Sequence, residues 1–311
     1  MRIITGHEPG QGRPKAVVTV GMFDGVHVGH RHILRELTDA ARGLEALSVV
    51  VTFTNHPLEV IRPQVVPGIL TTTGERLALI ETTGVDCCLL LDFTAEVQRM
   101  DASVFLDYLD SFFDVQGVVT GFNNNIGNKS GGPVDEVAAA RGMYFKRCSD
   151  VKIGDDVVSS TEIRRLLEAG EIAVANAMLG RSYAVAGNVC HGRQIGRTIG
   201  FPTANLKPVD SRVMLPADGV YFGAATIEGT DHAPYRAMIS VGKNPTVDGQ
   251  NARTTEIFML DLPNNYDLYG KSIIVNFMHR RRDMKRFPSL SCLTRQLEDD
   301  RMACSEYFQS I

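Results

Sequence analysis

Short apolar runs alternate with helical segments over about the first 180 residues of the chain. Four runs rich in β-branched or leucine side chains predict strands, at residues 17–20, 47–53, 86–91 and 117–121. Apolar residues at helical spacing predict helices near residues 30–42, 75–83 and 102–112. This alternation predicts a parallel sheet covered by helices, a Rossmann-like α/β fold. Ligands of such sheets bind at the carboxyl ends of the strands, so the segments that follow the strands hold the candidate site residues.

The pattern changes near Arg181, where strand-like runs and turn residues replace the helices. Little helix is indicated until residues 289–308, so we expect the second half to form a small antiparallel β-barrel with a terminal helix. A chain of 311 residues is long enough for two domains of ordinary size. The sequence therefore predicts two domains, at residues 1–181 and 182–311.

Composition and charge exclude several classes of protein. The chain is 44% hydrophobic and 22% charged, which is typical of a globular protein and argues against disorder or a fibre. Its net charge of −4 gives no overall attraction for nucleic acid, and the basic run at residues 279–282 is short. The six cysteines show no CxxC spacing, so reduced structural thiols are expected. No apolar leader or membrane-length apolar run is evident, so we expect a cytoplasmic protein without membrane or nucleic-acid partners.

The segment GMFDGVHVGH, residues 21–30, joins the first predicted strand to the first helix. A glycine-bearing turn at a helix start offers backbone N–H groups and the positive end of the helix dipole to a phosphate. His27 and His30 are three residues apart, so both imidazoles can face one ligand, and Gly29 leaves room for a nucleotide. The segment resembles the HxGH signature of nucleotidyltransferases. The alternative is that the histidines only cap the helix and that Asp24 only forms a turn.

Polar segments also follow later strands of this half. His56 comes after the second strand, although a lone loop histidine is more often a surface residue. Residues 121–132, GFNNNIGNKSGG, follow the fourth strand and offer amides and Lys129 to a phosphate or a second substrate, unless they form an ordinary surface loop. Residues 159–164, SSTEIR, begin a helix; their hydroxyls and Arg164 suit a polyphosphate, and simple helix capping fits equally well.

The second half contains a glycine-punctuated basic segment, residues 187–200, followed by the sequence PTAN. Thr203 and Asn205 are two residues apart and share one face of an extended segment, where their oxygens suit Mg²⁺ shared with nucleotide phosphates. An ordinary polar strand edge is the alternative. Glu256 lies on a predicted strand and would act as a base that accepts the proton of a substrate hydroxyl, although an exposed strand glutamate fits at least as well.

Taken together, the two halves resemble the bacterial bifunctional riboflavin kinase and FMN adenylyltransferase family. The resemblance covers nearly the whole chain, in motifs that follow the family order: GMFDGVHVGH, TNHP, GFNNNIG, SSTEIR, GRTIGFPTANL, LPADGVYFG, and EIFMLD followed by DLYG. It implies an HxGH nucleotidyltransferase domain and a riboflavin kinase barrel. With ATP and Mg²⁺, these would convert riboflavin to FMN and then FMN to FAD. ATP, riboflavin and FMN would be the substrates, and a homo-oligomer is compatible with the sequence.

The resemblance also implies roles for particular residues. The catalytic residues would be His27, His30 and Glu256. Nucleotide would be bound in the first half by Gly21, Phe23, Asp24, Gly29, Ser159, Thr161 and Arg164, and in the second half by Gly192, Arg197, Gly200, Pro202 and Thr203. Mg²⁺ would be held by Thr203 and Asn205, and flavin would be bound by His56, Asn123 and Arg282.

The chain departs from the family pattern in the segment GFNNNIG. Asn124 and Asn125 replace an aromatic residue and, usually, an arginine, and Ile126 replaces a phenylalanine. Phe258 and Arg286 are departures that look peripheral to phosphoryl transfer. The first departure keeps a second hypothesis open, a riboflavin kinase with a weak or altered N-terminal nucleotidyltransferase. A third hypothesis, a flavin- or nucleotide-binding regulator without turnover, is disfavoured because all three expected catalytic residues are present.

Overall fold

The computed structural model describes residues 1–5, 12–128, 132–192, 196, 199–243, 253–263 and 266–311. The chain divides into two compact units, Met1–Ser160 and Thr161–Ile311. The domain boundary expected after residue 181 stays a prediction. Within the described ranges, no helix has both the length and the apolar character needed to span a membrane.

A six-stranded sheet forms the centre of the first unit. Its strands are β1 (Arg2–Thr5), β2 (Lys15–Val20), β3 (Leu47–Phe53), β4 (Cys87–Leu91), β5 (Asp114–Thr120) and β6 (Tyr144–Arg147). They lie in the order β1-β4-β3-β2-β5-β6, and every neighbouring pair is parallel. The carboxyl ends of the strands therefore meet at one edge, and the segment that follows β2 lies near the middle of that edge.

Helices cover both faces of this sheet. They are α1 (Val28–Gly43), α2 (Pro57–Ile61), α3 (Thr73–Glu81), α4 (Ala95–Arg99), α5 (Ala102–Asp110) and α6 (Val134–Ala140). One core joins Val17 and Val50 of the sheet to Leu34 of α1 and Ile80 of α3. The other core joins Val18 to α5 and α6. Burial on both faces explains why the central strands are continuous apolar runs. A short antiparallel pair, β7 (Lys152–Ile153) and β8 (Asp156–Val157), ends the unit.

The second unit is a closed antiparallel barrel with flanking helices. Its elements are α7 (Ser160–Ala169), α8 (Ile172–Leu179), β9 (Tyr183–Cys190), β10 (Ala204–Pro208), β11 (Gly219–Ile227), β12 (Tyr235–Lys243), β13 (Arg253–Met259), β14 (Ser272–Arg282) and α9 (Leu290–Gln309). The barrel order is β10-β13-β12-β11-β14-β9, and β9 pairs with β10 to close it. α7 contributes its first residue, Ser160, to the first unit.

Alternation along the barrel strands separates the interior from the outer surface. On β13, Thr255 and Ile257 are buried in the interior, whereas Glu256 and Phe258 point to the other side. On that outer side, α9 packs on the barrel through Cys304, which lies in one apolar cluster with Phe222 and Met238. The outer surface under α9 can therefore enclose a ligand between the helix and the barrel.

The predicted fold class is confirmed by this architecture. The four predicted strands correspond to β2, β3, β4 and β5, and the predicted helices correspond to α1, α3, α5, α7 and α9. The sequence pattern did not predict β1, β6, the β7–β8 pair or the short helices.

Candidate active sites

The histidine loop, residues 21–30, connects β2 to α1 at the carboxyl edge of the sheet. Phe23 and Val26 have left-handed backbone conformations, with φ values of 52° and 40°. These values strain any residue with a Cβ, and most of all a β-branched one. The Thr52 hydroxyl supports the loop by donating a hydrogen bond of 3.1 Å to the carbonyl of Met22. Strain held in place at a ligand edge is typical of a functional loop.

His27 and His30 stack at the start of α1. Their ring centroids are 3.6 Å apart and the ring planes differ by 16°. His27 is the N-cap residue, and its Nδ1 accepts a hydrogen bond of 3.2 Å from the His30 backbone N–H. An Nδ1 that accepts a hydrogen bond leaves the proton of the neutral ring on Nε2, from which it can be donated to a phosphate oxygen. Phe23 packs edge-on against His30, with ring centroids 5.1 Å apart.

Asp24 is buried, with 2% of its surface exposed. Its carboxylate accepts hydrogen bonds of 2.9 Å from the backbone N–H groups of Leu70 and Thr71, and one of 3.0 Å from the Thr71 hydroxyl. Its main-chain carbonyl accepts a hydrogen bond of 2.8 Å from the hydroxyl of Ser160. These bonds attach the histidine loop to the residues before α3. Asp24 thus positions the loop, and its predicted role in nucleotide binding stays a prediction.

At two glycines of the loop, a side chain would press on the loop's own aromatic rings. A Cβ at Gly29 would lie 3.2 Å from two ring atoms of His27, and a Cβ at Gly21 would lie 3.2 Å from the ring of Phe23. Both distances are shorter than ordinary van der Waals contacts. From the sequence, Gly29 is expected to leave room for a nucleotide. That role in nucleotide binding stays a prediction.

Arg76 of α3 contacts the same loop and is almost fully buried. Its Nη2 donates to the carbonyl of Phe53 at the end of β3, and its Nη1 lies 3.9 Å from the sulfur of Met22. Burial lowers the pKa of this guanidinium, whereas the charge of Asp24 raises it. Sequence reasoning missed Arg76. The sequence signal that could have revealed its burial is its position four residues before the buried Ile80, on the apolar face of the helix.

His56 caps α2 at the same edge of the sheet. The imidazole Nδ1 of His56 accepts a hydrogen bond of 3.1 Å from the backbone N–H of Leu58. The backbone N–H of His56 donates a hydrogen bond of 3.1 Å to the carboxylate of Glu59. This reciprocal capping gives the imidazole a structural role. Its predicted contact with flavin stays a prediction.

The asparagine loop, residues 121–128, follows β5. Asn123, the predicted flavin-binding residue, is exposed. Asn124 instead donates its side-chain amide to the carbonyl of Val20 at the end of β2, and Ile126 is buried in the apolar core. Two of the departures from the family pattern are therefore accommodated inside the fold. Lys129 lies outside the described residues.

The start of α7 contains three further predicted nucleotide-binding residues. Ser159 immediately precedes this helix, and Thr161 and Arg164 lie near its start. Their predicted roles in triphosphate binding stay predictions. The neighbouring Ser160, considered from the sequence as a helix cap, donates to the carbonyl of Asp24.

In the second unit, Thr203, Asn205 and Glu256 converge on the outer surface of the barrel. The Thr203 hydroxyl donates a hydrogen bond of 3.3 Å to Oε2 of Glu256. Asn205 lies directly opposite Glu256 in the register of β10 and β13. Ala204 and Leu206 are buried, so Thr203 and Asn205 share the face on which Glu256 lies. Hydroxyl, amide and carboxylate oxygens form a donor set suited to a hard divalent cation such as Mg²⁺.

The glycine-rich segment reaches this cluster from β9. A Cβ at Gly192 would collide with the side-chain amide of Asn205, so a larger residue there would displace that amide from its present position. Gly200 has a φ of 82°, which also favours glycine. Pro202 directly precedes Thr203, and both line one small cleft. Arg197, which was also predicted to bind nucleotide, lies outside the described residues.

A cavity of about 340 Å³ lies beside Glu256, between the barrel surface and α9. Its apolar lining comes from Ile199, Phe201, Met238, Phe258, Leu293 and Leu297. Its polar lining includes Thr203, Asn205, Ser240, Glu256, Arg282 and Asp300. An apolar enclosure with polar groups at one side suits a flat aromatic ligand that has a polar tail.

A buried ion pair forms one wall of this cavity. Arg282 of β14 donates to the carboxylate of Asp300 on α9, through Nε at 3.0 Å and Nη2 at 2.7 Å. Asp300 is fully buried and also accepts a hydrogen bond of 3.1 Å from Gln296. The pair holds α9 against the barrel, and the predicted contact of Arg282 with flavin stays a prediction.

Sequence reasoning missed Asp300, which stands in an acidic run that reads as an exposed helix face. The signal that could have found it is helical phase. Asp300 follows Leu293 and Leu297 at spacings of seven and three, which places it on the face that packs against the barrel.

Two family models match the chain, FAD synthetase over residues 11–162 and riboflavin kinase over residues 179–308. The chain is 32% identical over 300 residues to the bifunctional riboflavin kinase/FMN adenylyltransferase of Listeria monocytogenes, which covers 95% of this chain and 93% of that relative. The chain belongs to the bifunctional riboflavin kinase/FMN adenylyltransferase family. The family member of Escherichia coli K12 is also 32% identical, over 296 residues that cover 94% of this chain and 92% of that relative. The family and the enzyme class expected from the sequence are confirmed.

A solved structure is similar to the chain over both units. It is a crystal structure of a Streptococcus pneumoniae protein described as a macrolide-efflux protein, with a TM-score of 0.88 and 31% sequence identity. The similarity covers 98% of this chain and 99% of that chain. This similarity supports the fold described above for the present chain. The efflux activity in the description concerns the Streptococcus protein.

Proposed function

We propose that the second unit phosphorylates riboflavin to FMN with ATP, and that the first unit transfers AMP from ATP to FMN to give FAD and pyrophosphate. The observation that carries this proposal is the presence of both chemical clusters in one chain that bifunctional relatives match over nearly its whole length. The clusters are the stacked His27 and His30 and the convergent Thr203, Asn205 and Glu256. Because ATP and both flavins are small and water-soluble, we place these reactions in the cytoplasm.

For the kinase step, the apolar part of the cavity would hold the isoalloxazine ring of riboflavin, and the ribityl chain would extend toward Glu256. The carboxylate of Glu256 accepts the proton of the 5′-hydroxyl while the hydroxyl oxygen attacks the γ-phosphorus of ATP, and ADP leaves. Thr203 and Asn205 would hold Mg²⁺, which neutralises charge on the phosphates. Positioning and electrostatics contribute most of the catalysis in such a transfer.

For the adenylyl step, a phosphate oxygen of FMN attacks the α-phosphorus of ATP, and the bond to pyrophosphate breaks. His27 and His30 would donate hydrogen bonds to the α-phosphate oxygens, where negative charge increases in the transition state. The start of α1 adds backbone N–H groups and the positive end of the helix dipole. No proton has to be removed from the attacking group, so this site needs no base.

Incubation of the purified chain with riboflavin, ATP and Mg²⁺, followed by chromatographic separation of the flavins, tests the proposal. We expect FMN to form first and FAD to follow. Absence of FMN contradicts the kinase assignment. FMN without FAD, also when FMN is the added flavin, supports the hypothesis of a weak or altered nucleotidyltransferase. Tight binding of ATP and flavin without any product supports a regulator.

A further inference from the structure

Arg76 is a buried charge to which the two proposed reactions give no role. Only 1% of its surface is exposed. Within the part of the chain that the structure describes, its Nε is buried without a hydrogen-bond partner. Burial of a charge, and of an unsatisfied donor in particular, lowers the stability of a fold. Stability alone therefore does not account for an arginine at this position.

The guanidinium of Arg76 lies between the end of β3 and the histidine loop. Its Nη2 donates a hydrogen bond to the carbonyl of Phe53, the last residue of β3. Its Nη1 lies 3.9 Å from the sulfur of Met22 in the histidine loop. The Gly21 N–H at the start of that loop donates a hydrogen bond of 3.0 Å to the carbonyl of Val51, also in β3. Arg76 thus fixes the start of the loop from the side of α3.

Arg76 also acts electrostatically on the loop through Asp24, the second buried charge in this region. Burial lowers the pKa of the Arg76 guanidinium, and the negative charge of Asp24 counters that lowering. Opposite charges attract strongly across a protein interior of low dielectric constant. Leu70 and Thr71, which bind the Asp24 carboxylate, lie just before α3 in the sequence. One segment of the chain therefore binds Asp24 through its backbone and supplies the opposite charge.

Asp24 stands between two strained residues of the loop. Phe23 and Val26 have φ values of 52° and 40°. Such conformations persist only where the surrounding structure fixes them. His27, the N-cap residue of α1, directly follows Val26. A shift of the loop at Asp24 would therefore move the His27 imidazole and the ring that stacks on it.

We propose that Arg76 is a positioning residue for adenylyl transfer, which holds the histidine loop so that His27 and His30 face the α-phosphate of ATP. This inference rests on the adenylyl transfer proposed above. Arg76 acts through the loop and does not touch the substrates. Loss of its charge should lower kcat and change KM little, because donors directed at a transition state affect the rate more than the binding of the substrates.

The test compares Arg76→Met and Arg76→Lys with the unchanged chain in the conversion of FMN and ATP to FAD. Methionine keeps much of the apolar stem without the charge. We expect its kcat to fall about 10- to 100-fold, as is typical of a small misplacement of catalytic groups, with both KM values within about three-fold of the original. Lysine keeps the charge without the planar fork of donors, so its kcat should be intermediate.

Arg141→Met is the matched control. Arg141 is a half-buried arginine of the same unit, bonded at 2.8 Å to Asp107 and at 2.7 Å to the Ser103 hydroxyl, both on α5. Arg141 follows α6, near the amino edge of the sheet and away from the histidine loop. Its loss should lower the melting temperature and leave kcat unchanged. A purely structural Arg76 would behave in the same way.

Three results would overturn the inference about Arg76. The first is an unchanged kcat in folded Arg76→Met, and the second is an equal loss of kcat in Arg141→Met. The third applies where Arg76→Met does not fold, and it is an unchanged kcat in Arg76→Lys. Thermal unfolding shows which variants fold. Failure of the proposed function is a different result, because the unchanged chain would then form no FAD from FMN and ATP.

Discussion

At the residue scale, substitution of Gly29 should change activity without lowering stability. Because a Cβ at this position would press on the His27 ring at 3.2 Å, Gly29→Ala should displace the imidazole from the phosphate. A displacement of this kind costs up to about 100-fold in rate, so we expect FAD formation from FMN to fall about 10- to 100-fold. The melting temperature should not fall, since alanine favours a helix by up to about 1 kcal/mol over glycine. Steady-state kinetics and thermal unfolding measure the two effects.

Gly43→Ala at the other end of α1 is the control. A Cβ there would have no neighbour within 4 Å among the described residues. Its rate should equal that of the unchanged chain. An equally slow Gly43→Ala variant would show that the loss in Gly29→Ala comes from the helix and not from His27.

The six cysteines differ in exposure, and this predicts their reactivity. Cys190 and Cys292 are exposed, whereas Cys87, Cys88, Cys148 and Cys304 are buried, and burial raises the pKa of all four buried thiols. A thiol-specific reagent at pH 8 should label two cysteines in the folded chain and six in denaturant, because the thiolate is the reacting form. Mass spectrometry of the labelled chain counts them. Rapid labelling of a third cysteine in the folded chain would contradict the described core.

The buried thiols also give a pH dependence. Burial raises the pKa of Cys88 from an ordinary 9.0 to about 12. A thiol with a raised pKa in the folded state stabilises the fold fully below the unfolded pKa, and this contribution is lost as the pH rises through the folded value. Denaturant titrations of the unchanged chain should therefore show falling stability between about pH 9 and pH 12, partly restored in a Cys88→Ala variant.

At the residue scale, local spacing decided what the sequence could predict. His27 and His30 could be paired because residues three apart at a helix start lie on one side. Thr203 and Asn205 could be paired because alternate residues of a strand share a face. Arg76 and Asp300 could not be assigned, because their partners lie far away in the sequence, at Phe53 and Arg282 respectively. Only the packing of separate elements reveals such contacts.

At the scale of elements, the buried carboxylate of Asp300 helps to hold α9 against the barrel through its ion pair with Arg282. Asp300→Leu would leave the charge of Arg282 buried without its partner, which typically costs about 3–5 kcal/mol. The same change should abolish FMN formation, because α9 forms a wall of the cavity. The double variant Asp300→Leu with Arg282→Met should recover much of the lost stability, since an apolar pair can replace a buried ion pair. Urea unfolding measures both free energies.

The exposed pair of Glu298 and Arg301 on the same helix provides the comparison. Its partners are 43% and 51% exposed, and such pairs contribute at most about 1 kcal/mol. Glu298→Gln should thus leave α9 and FMN formation intact. A double variant no more stable than Asp300→Leu alone would mean that the packing of α9, and not the uncompensated charge, causes the loss.

The position of a strand in the six-stranded sheet, at an edge or in the centre, explains whether the sequence could predict it. β2 to β5 are buried or nearly so on both faces, and their apolar runs are visible in the sequence. β1 and β6 lie at the two edges of the sheet and are largely exposed, so their short runs RIIT and YFKR carry no comparable signal. Their pairing with β4 and β5 is a property of the assembled sheet.

At the scale of the whole molecule, the proposed catalytic residues of the two reactions, His27 and His30 on one side and Glu256 on the other, lie in different compact units. His27→Ala should lower FAD formation from FMN by about 100-fold or more and leave FMN formation from riboflavin unchanged, since it removes a donor to the transition state. Glu256→Ala should lower FMN formation from riboflavin and leave FAD formation unchanged when FMN is supplied. The two product rates, measured on each variant, check this separation. A folded variant in which either substitution stops both reactions would contradict the assignment of one reaction to each unit.

Among the described strands, the barrel is closed and has no edge strand, whereas the parallel sheet is open and has two edge strands. Each barrel strand pairs on both sides, because β9 meets β10. In the described six-stranded sheet, β1 and β6 have a neighbour on one side only. An unpaired strand edge offers backbone donors and acceptors to another copy of the chain. Aggregation during heating or concentrated storage should therefore begin in the first unit, and the loss of FAD formation should precede the loss of FMN formation.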